Sequence, residues 1–211
     1  MNKIITIARQ FGSGGRLIGK ELAQKLNIPF LDNELITLAA KESGMSPEVL
    51  KGADERVTSS LLYGLAMGYF PPGYGFSAPE PGGLTITDNL FMVQAGIIAK
   101  KANEGPCVIV GRCADYVLKE NKERVSIFIY ADIKSRAERA VNIYGLKPDK
   151  AEDEIRKRDK KRGNYYNYYT NRKWDDFHNY HLLLDSARLG ITGSVELIIK
   201  YLDMLQCSSP E

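Results

Sequence analysis

The stretch that decides the fold runs from Lys3 to Leu26, KIITIARQFGSGGRLIGKELAQKL. Ile4, Ile5, Ile7 and Ala8 form a short apolar run, rich in β-branched residues and therefore strand-prone. Phe11 to Gly15 then reads FGSGG. From Arg16 onward Ile18, Leu22 and Leu26 recur every four residues, one stripe of an amphipathic helix. The order is strand, glycine turn, helix. It sets backbone N–H groups and a helix N-terminus at the end of a buried strand, where unpaired donors and the helix dipole both favour an anion. Gly12, Gly14, Gly15 and Gly19 crowd this stretch more densely than a plain turn requires.

Three frames fit the loop. A literal GxxxxGK match runs from Gly14 to Lys20, but Glu21 stands where a Ser or Thr hydroxyl is needed, and Lys20 lies more than a turn inside the helix. A second frame takes Gly12-Ser13-Gly14 as the GSG of nucleoside monophosphate kinases. In that frame Gly15 replaces the lysine, Arg16 supplies the cation and Leu17 replaces Ser/Thr; Ser13 then offers a hydroxyl in the turn. A third frame is a dinucleotide fingerprint using Gly12, Gly14 and Asp32, with Leu17 where a small residue should let the helix meet the strand.

Composition bounds the function. The chain has 211 residues, 44% apolar and 26% charged, enough for a packed core and one domain with insertions. No run reaches the length of a membrane helix, and the N-terminus reads as a strand rather than a signal peptide. Three widely spaced cysteines, Cys107, Cys113 and Cys207, point to a reducing, cytoplasmic setting without a disulfide framework. The two histidines, His178 and His181, lack the partners that zinc chemistry needs. A net charge of +3 is too mild for a nucleic-acid footprint.

Beyond the first helix, Ile28 to Leu31 reads as a second strand ending at Asp32. Two strands joined by a helix form a βαβ unit, which predicts a parallel sheet with its ligand at the strands' carboxyl ends. Asp32 sits at that edge, as a site residue or as the N-cap of the next helix. Residues 33–70 read as helical. Residues 71–83 are a proline- and glycine-rich loop flanked or occupied by Tyr69, Phe70, Tyr74 and Phe76. Thr87 to Asn103 is helical. Cys107 to Val110 is a continuous apolar run typical of a central parallel strand, and Arg112 and Asp115 come directly after it. Val125 to Tyr130 is the next strand and Asp132 to Tyr144 the next helix, carrying Arg136 and Arg139. The densest charge comes next, with Arg156, Asp159 and Arg162 at three-residue spacing on one helix face. His181 to Asp185 is a last strand, and Thr192 to Leu205 a closing helix.

This order of segments resembles the cytidylate kinase-like family of P-loop proteins. The segments that carry the resemblance are ITIARQFGSGGRLIGKELAQKLNIPFLDNELI, CVIVGRCADYVL, IYADIKSRAERA, RKRDKKRGNYYNYYTNRKW and HLLLDSARLGI. The resemblance implies an α/β P-loop fold of three layers around a parallel five-stranded sheet. It makes residues 1–211 a single domain, with a helical acceptor-binding insertion at 33–90 and a lid at 150–175. It further implies phosphoryl transfer from ATP, with Mg²⁺, to a nucleoside monophosphate such as CMP or dCMP. By position, Gly12, Ser13, Gly14, Gly15 and Arg16 form the phosphate loop, and Asp32, Arg112 and Asp115 meet the acceptor. Arg136 or Arg139 is the donor-side cation. Arg16, Arg156, Asp159 and Arg162 form the catalytic set, and no metal ligand from the protein is implied. The implied partners are small-molecule nucleotides, with neither membrane nor nucleic acid. Because the loop lacks the lysine, a phosphate sensor without turnover stays open as an alternative, and Gly12, Gly14 and Asp32 keep a dinucleotide-binding protein open. Cys113 stands where cytidylate kinases carry an aspartate, which bears on cytosine preference.

Overall fold

The computed structural model describes residues 3–32 and 86–207. The elements in chain order are β1 (Ile4–Arg9), α1 (Gly15–Leu26), β2 (Phe30–Leu31), α2 (Ile86–Glu104), β3 (Cys107–Val110) and α3 (Ala114–Val117). They continue with β4 (Arg124–Tyr130), α4 (Ile133–Tyr144), α5 (Ala151–Thr170), β5 (Leu182–Asp185) and α6 (Ser186–Cys207). The insertion expected from residue 33 and the 71–83 loop, with Tyr69, Phe70, Tyr74 and Phe76, lie outside the described residues up to 85. Residues 3–32 and those from Ile98 onward belong to one compact unit, which carries the whole sheet.

All five strands pair in parallel in the order β2-β3-β1-β4-β5. Parallel strands buried on both faces read as unbroken apolar runs, which is why Ile4 to Ala8, Cys107 to Val110 and Val125 to Ile129 stand out in the sequence. Ile5, Ile7, Val108, Ile127, Ile129 and Leu184 from the strands pack with Ile18 and Leu22 of α1 and Val195, Ile198 and Leu202 of α6. Each such side chain contributes about 1.5–3 kcal/mol on burial. The sheet order also separates the three loop frames. In a dinucleotide fold the second strand lies beside the first; here β3 intervenes between β1 and β2. Among the described residues no helix is long and apolar enough to cross a membrane.

Three boundaries differ from the sequence reading. β2 is only Phe30–Leu31, because a single pairing with β3 leaves Ile28 and Pro29 outside the ladder, apart from Pro29 accepting from Val108 N–H. α6 starts at Ser186 and is interrupted at Gly190 (φ 65°, ψ −174°), so the Thr192 start marks its second segment. The strand expected from His181 starts at Leu182, and His181 closes its entrance instead. His181 N–H donates to Ser126 O at 2.8 Å, and Ser126 N–H donates to His181 Nδ1 at 3.1 Å.

That second bond requires a neutral acceptor nitrogen. Desolvation, then the nearby Arg124, pushes His181 below its ordinary value. The folded state therefore binds fewer protons than the unfolded chain as pH falls through about 6.5, so this contribution is full above that pH and lost below it. The urea midpoint of the parent chain is expected to fall more between pH 7.5 and pH 5.5 than that of His181→Gln, whose amide oxygen still accepts. Equal falls would remove His181 from the pH dependence.

Candidate active site

The turn after β1 is built by contacts from four other elements. Gln10 N–H donates to Ile129 O at 3.0 Å, and its side-chain oxygen accepts from Ala131 N–H at 3.2 Å, which ties the turn to β4. Phe11 N–H donates to Asp159 Oδ1 of α5 at 2.6 Å. Arg139 of α4 donates to Gly12 O at 2.7 Å. The buried Ser186 hydroxyl, at the start of α6, donates to Ser13 O. The carbonyls are thus turned outward to side chains. The N–H groups at the start of α1 remain: the N-cap is Gly14 (φ 82°), no side chain caps it, and no acidic residue lies in the first turn. A helix N-terminus left without acceptors is an anion site by its donors and its dipole.

The frame question is answered by where α1 begins. Gly15 is its first residue, so Lys20 is midway along the helix and exposed. Ser13 is fully buried and its hydroxyl donates to Gln10 O at 2.9 Å, so it is not offered to a ligand. The first turn carries Gly15, Arg16 and Leu17, none with a hydroxyl. Among the described residues no group of three His, Cys, Asp or Glu is placed to hold a cation. The first turn thus offers Mg²⁺ no hydroxyl, and a Mg²⁺ bound here would be held through the nucleotide's own phosphates.

Arginines gather on the other side of the turn, at the carboxyl ends of β1 and β3. Arg162 of α5 donates to Arg9 O at 3.0 Å. Its guanidinium lies 5.5 Å from the centre of the Phe11 ring, with Arg158 at 4.3 Å from the same ring. Desolvation, with Arg158 and Arg112 nearby, pushes Arg162 down to about 10. Arg9 is held well below the ordinary arginine range by burial, then by Arg162 and Arg112. Arg112 is delivered by an unusual backbone: Gly111, Arg112 and Cys113 are all left-handed, with φ 81°, 57° and 55°. Such strain at a non-glycine residue costs on the order of 1 kcal/mol and persists where the surroundings impose it. The Arg112 guanidinium is 6.0 Å from the Tyr165 ring.

The remaining expected residues divide. Asp32, only 5% exposed, accepts from Arg16 Nε at 2.6 Å, so these two residues of the loop and the β2 edge meet as an ion pair. Of the two donor-side alternatives, Arg139 lies at the loop, near Gly14 as well as Gly12. Arg136 is buried behind it, paired with Asp159, with its own carbonyl where a Gly12 Cβ would go. Arg136 and Asp159, expected as an alternative donor-side cation and as a member of the catalytic set, therefore hold the loop from behind. Asp115, expected on the acceptor side, has its buried carboxylate accepting from Tyr166 OH at 2.6 Å, within the wall between α3 and α5.

Three-residue steps rotate about 60° backward on a helix, so residues six apart lie about 120° around it. Arg156 accordingly points to solvent beside Glu152 at 3.6 Å, while Arg162 faces the turn. Residues 151–170 of the segment expected as a lid form one continuous helix, anchored on both sides of Asp159. Ile155 is fully buried with Phe11 and Ala140, and Tyr166 and Tyr169 are buried near its end. Arg9 is absent from the residues expected at the site. Its only local signal is a charged side chain closing an otherwise apolar strand.

The family model for the cytidylate kinase-like family matches residues 4–188. An uncharacterized protein from Eubacterium ventriosum ATCC 27560 has a similar structure, with a TM-score of 0.70 and 28% identity over 95% of this chain and 98% of that one. The fold is also shared with shikimate kinase from Bacteroides thetaiotaomicron (TM-score 0.54, 16% identity, 96% of this chain and 99% of that one). A gluconokinase from Sinorhizobium meliloti 1021 shares it too (TM-score 0.53, 14% identity, 99% and 98%). No curated protein sequence matches.

Proposed function

The chain belongs to the cytidylate kinase-like family, and on that footing we propose that it transfers the γ-phosphoryl group of ATP to a nucleoside monophosphate, CMP or dCMP. The observation that carries this reading is the convergence of Arg9, Arg112 and Arg162 beside a turn lined with helix N-terminal amides. Like charges packed together raise the free energy of the empty site, and a polyanion relieves it. Phosphoryl transfer spreads charge over the equatorial oxygens, so catalysis depends on positioning and cationic stabilisation.

In this mechanism the turn amides and Arg139 hold the donor's phosphates, and Arg112 and Arg162 meet the acceptor phosphate and the transferred group. An acceptor phosphate oxygen attacks the γ-phosphorus and the bond to the β-bridging oxygen breaks, leaving ADP. The nucleophile is already anionic at neutral pH, so no general base is required. A hydroxyl acceptor would need one. Asp32, a carboxylate at the strand ends, is held by Arg16, which favours a phosphate acceptor. Asp32 and Arg16 then act together as the acceptor-side wall.

The test is turnover of the full chain with ATP and magnesium on a panel of nucleoside monophosphates and small hydroxy acids. CMP or dCMP is expected to react fastest, and failure on the whole panel would end the kinase reading. A second reading, a phosphate sensor without turnover, is favoured by the missing lysine and first-turn hydroxyl. It expects calorimetric binding of nucleotide with no ADP formed.

A further inference from the structure

A loop of the form GxxxxGK places a lysine at the first helical position, from which it reaches the β- and γ-phosphates. With α1 starting at Gly15, that position is Gly15, and the template's first glycine falls on Arg9. Glycine and cation have exchanged places. The exchange is also spatial. A Cβ built on Gly15 would stand 2.6 Å from Arg9 Cβ and 3.0 Å from Arg9 Cγ. The backbone of Gly15 is not left-handed, so its own conformation does not call for glycine; the Arg9 stem does. The Arg9 guanidinium ends against Gly111, where a Cβ would collide with its Nη1.

Among the described residues the Arg9 guanidinium has no hydrogen-bonded or ion-paired partner. The charged side chains that act on it are Arg162 and Arg112, with Asp32 as a weaker opposing influence. A cation kept among cations, at the end of the strand that leads into an anion-binding turn, is arranged for a ligand that brings the missing negative charge.

We propose that Arg9 replaces the absent loop lysine and binds the polyphosphate oxygens next to the transferred group, reaching them from the end of β1 instead of from the first turn of α1. Its planar fork pairs two oxygens where a lysine meets them as a point charge. This rests on the phosphotransferase reading, but its test does not need turnover.

Inorganic tripolyphosphate is titrated into the full chain by calorimetry at constant ionic strength. Arg9→Met keeps the stem and removes the charge. It is expected to bind at least about 10-fold more weakly, the loss of one charge-assisted pairing. At the same time its melting temperature without ligand should rise, because repulsion with Arg112 and Arg162 is gone. A purely structural arginine would lower both. The double variant Arg9→Gly/Gly15→Lys restores the ordinary loop and is expected to recover binding, whereas Gly15→Lys alone meets the Arg9 stem and should lose it.

Unchanged binding in Arg9→Met, weaker binding with a lower melting temperature, or a double variant no better than Arg9→Gly would each overturn the proposal. Absence of turnover in the parent, with tripolyphosphate binding still dependent on Arg9, would remove the kinase reading and leave this one. Turnover unaffected by Arg9→Met would do the reverse.

Discussion

Turnover by the Arg162→Ala variant is expected to fall at least about 1000-fold below that of the parent chain, with nucleotide binding weakened far less. Arginines that stabilise the charge of a transferring phosphoryl group are worth about 10³–10⁵ in rate, and a thousandfold is about 4 kcal/mol of barrier. Arg162 qualifies because its backbone is fixed on α5 between buried anchors while its guanidinium reaches the β1 end, 3.0 Å from Arg9 O. The same contact gives it a structural share, so Arg162→Lys is the necessary comparison. Lysine retains the charge but not the fork, and an intermediate rate separates electrostatics from packing. A fall of less than about 10-fold in Arg162→Ala would take this residue out of the chemistry. A large fall would exclude the sensor without turnover.

The second large effect falls on stability. Asp159 joins three elements: it accepts Phe11 N–H at 2.6 Å and pairs with Arg136, which is 8% exposed. Asp159→Ala leaves a loop N–H without its acceptor and a buried guanidinium with only Phe11 O, at 3.4 Å, to accept from it. Breaking one side of a buried pair costs about 3–5 kcal/mol, a large part of the roughly 5–15 kcal/mol that ordinarily holds a domain folded. The midpoint of urea unfolding should shift accordingly. The double variant Asp159→Leu/Arg136→Met is expected to regain much of the loss, since an apolar pair of similar volume removes the uncompensated charge. If Asp159→Ala unfolds within about 1 kcal/mol of the parent, the pair does not hold the loop. If the double variant is stable but inactive, loop geometry rather than fold is what the pair protects.

These two residues show where sequence reading stops. Arg156, Asp159 and Arg162 look equivalent as a run at three-residue spacing, and the pattern places all three at the ligand. Helix phase and the surroundings separate them into a solvent-facing cation, a loop anchor and a cation at the end of β1. Arg136 and Arg139 differ in the same way, one behind the turn and one at it. Asp115 comes closely enough after the β3 arginine to look like a site residue, yet Tyr166, 51 residues away, takes its carboxylate. None of these outcomes has a local signature, because each depends on which distant helix packs against the position.

What the sequence determined by itself is the order of strand, glycine turn and helix, the parallel character of the sheet and the end of it at which the glycine turn stands. Those features arise from periodicity, β-branching and glycine placement within short windows, so local chemistry suffices to read them. What only the tertiary structure decided is which charges meet. Arg9 and Arg162 are 153 residues apart. They meet because β1 is central in the sheet and α5 folds back across its end. The same packing placed the Arg9 stem where a Gly15 side chain would begin.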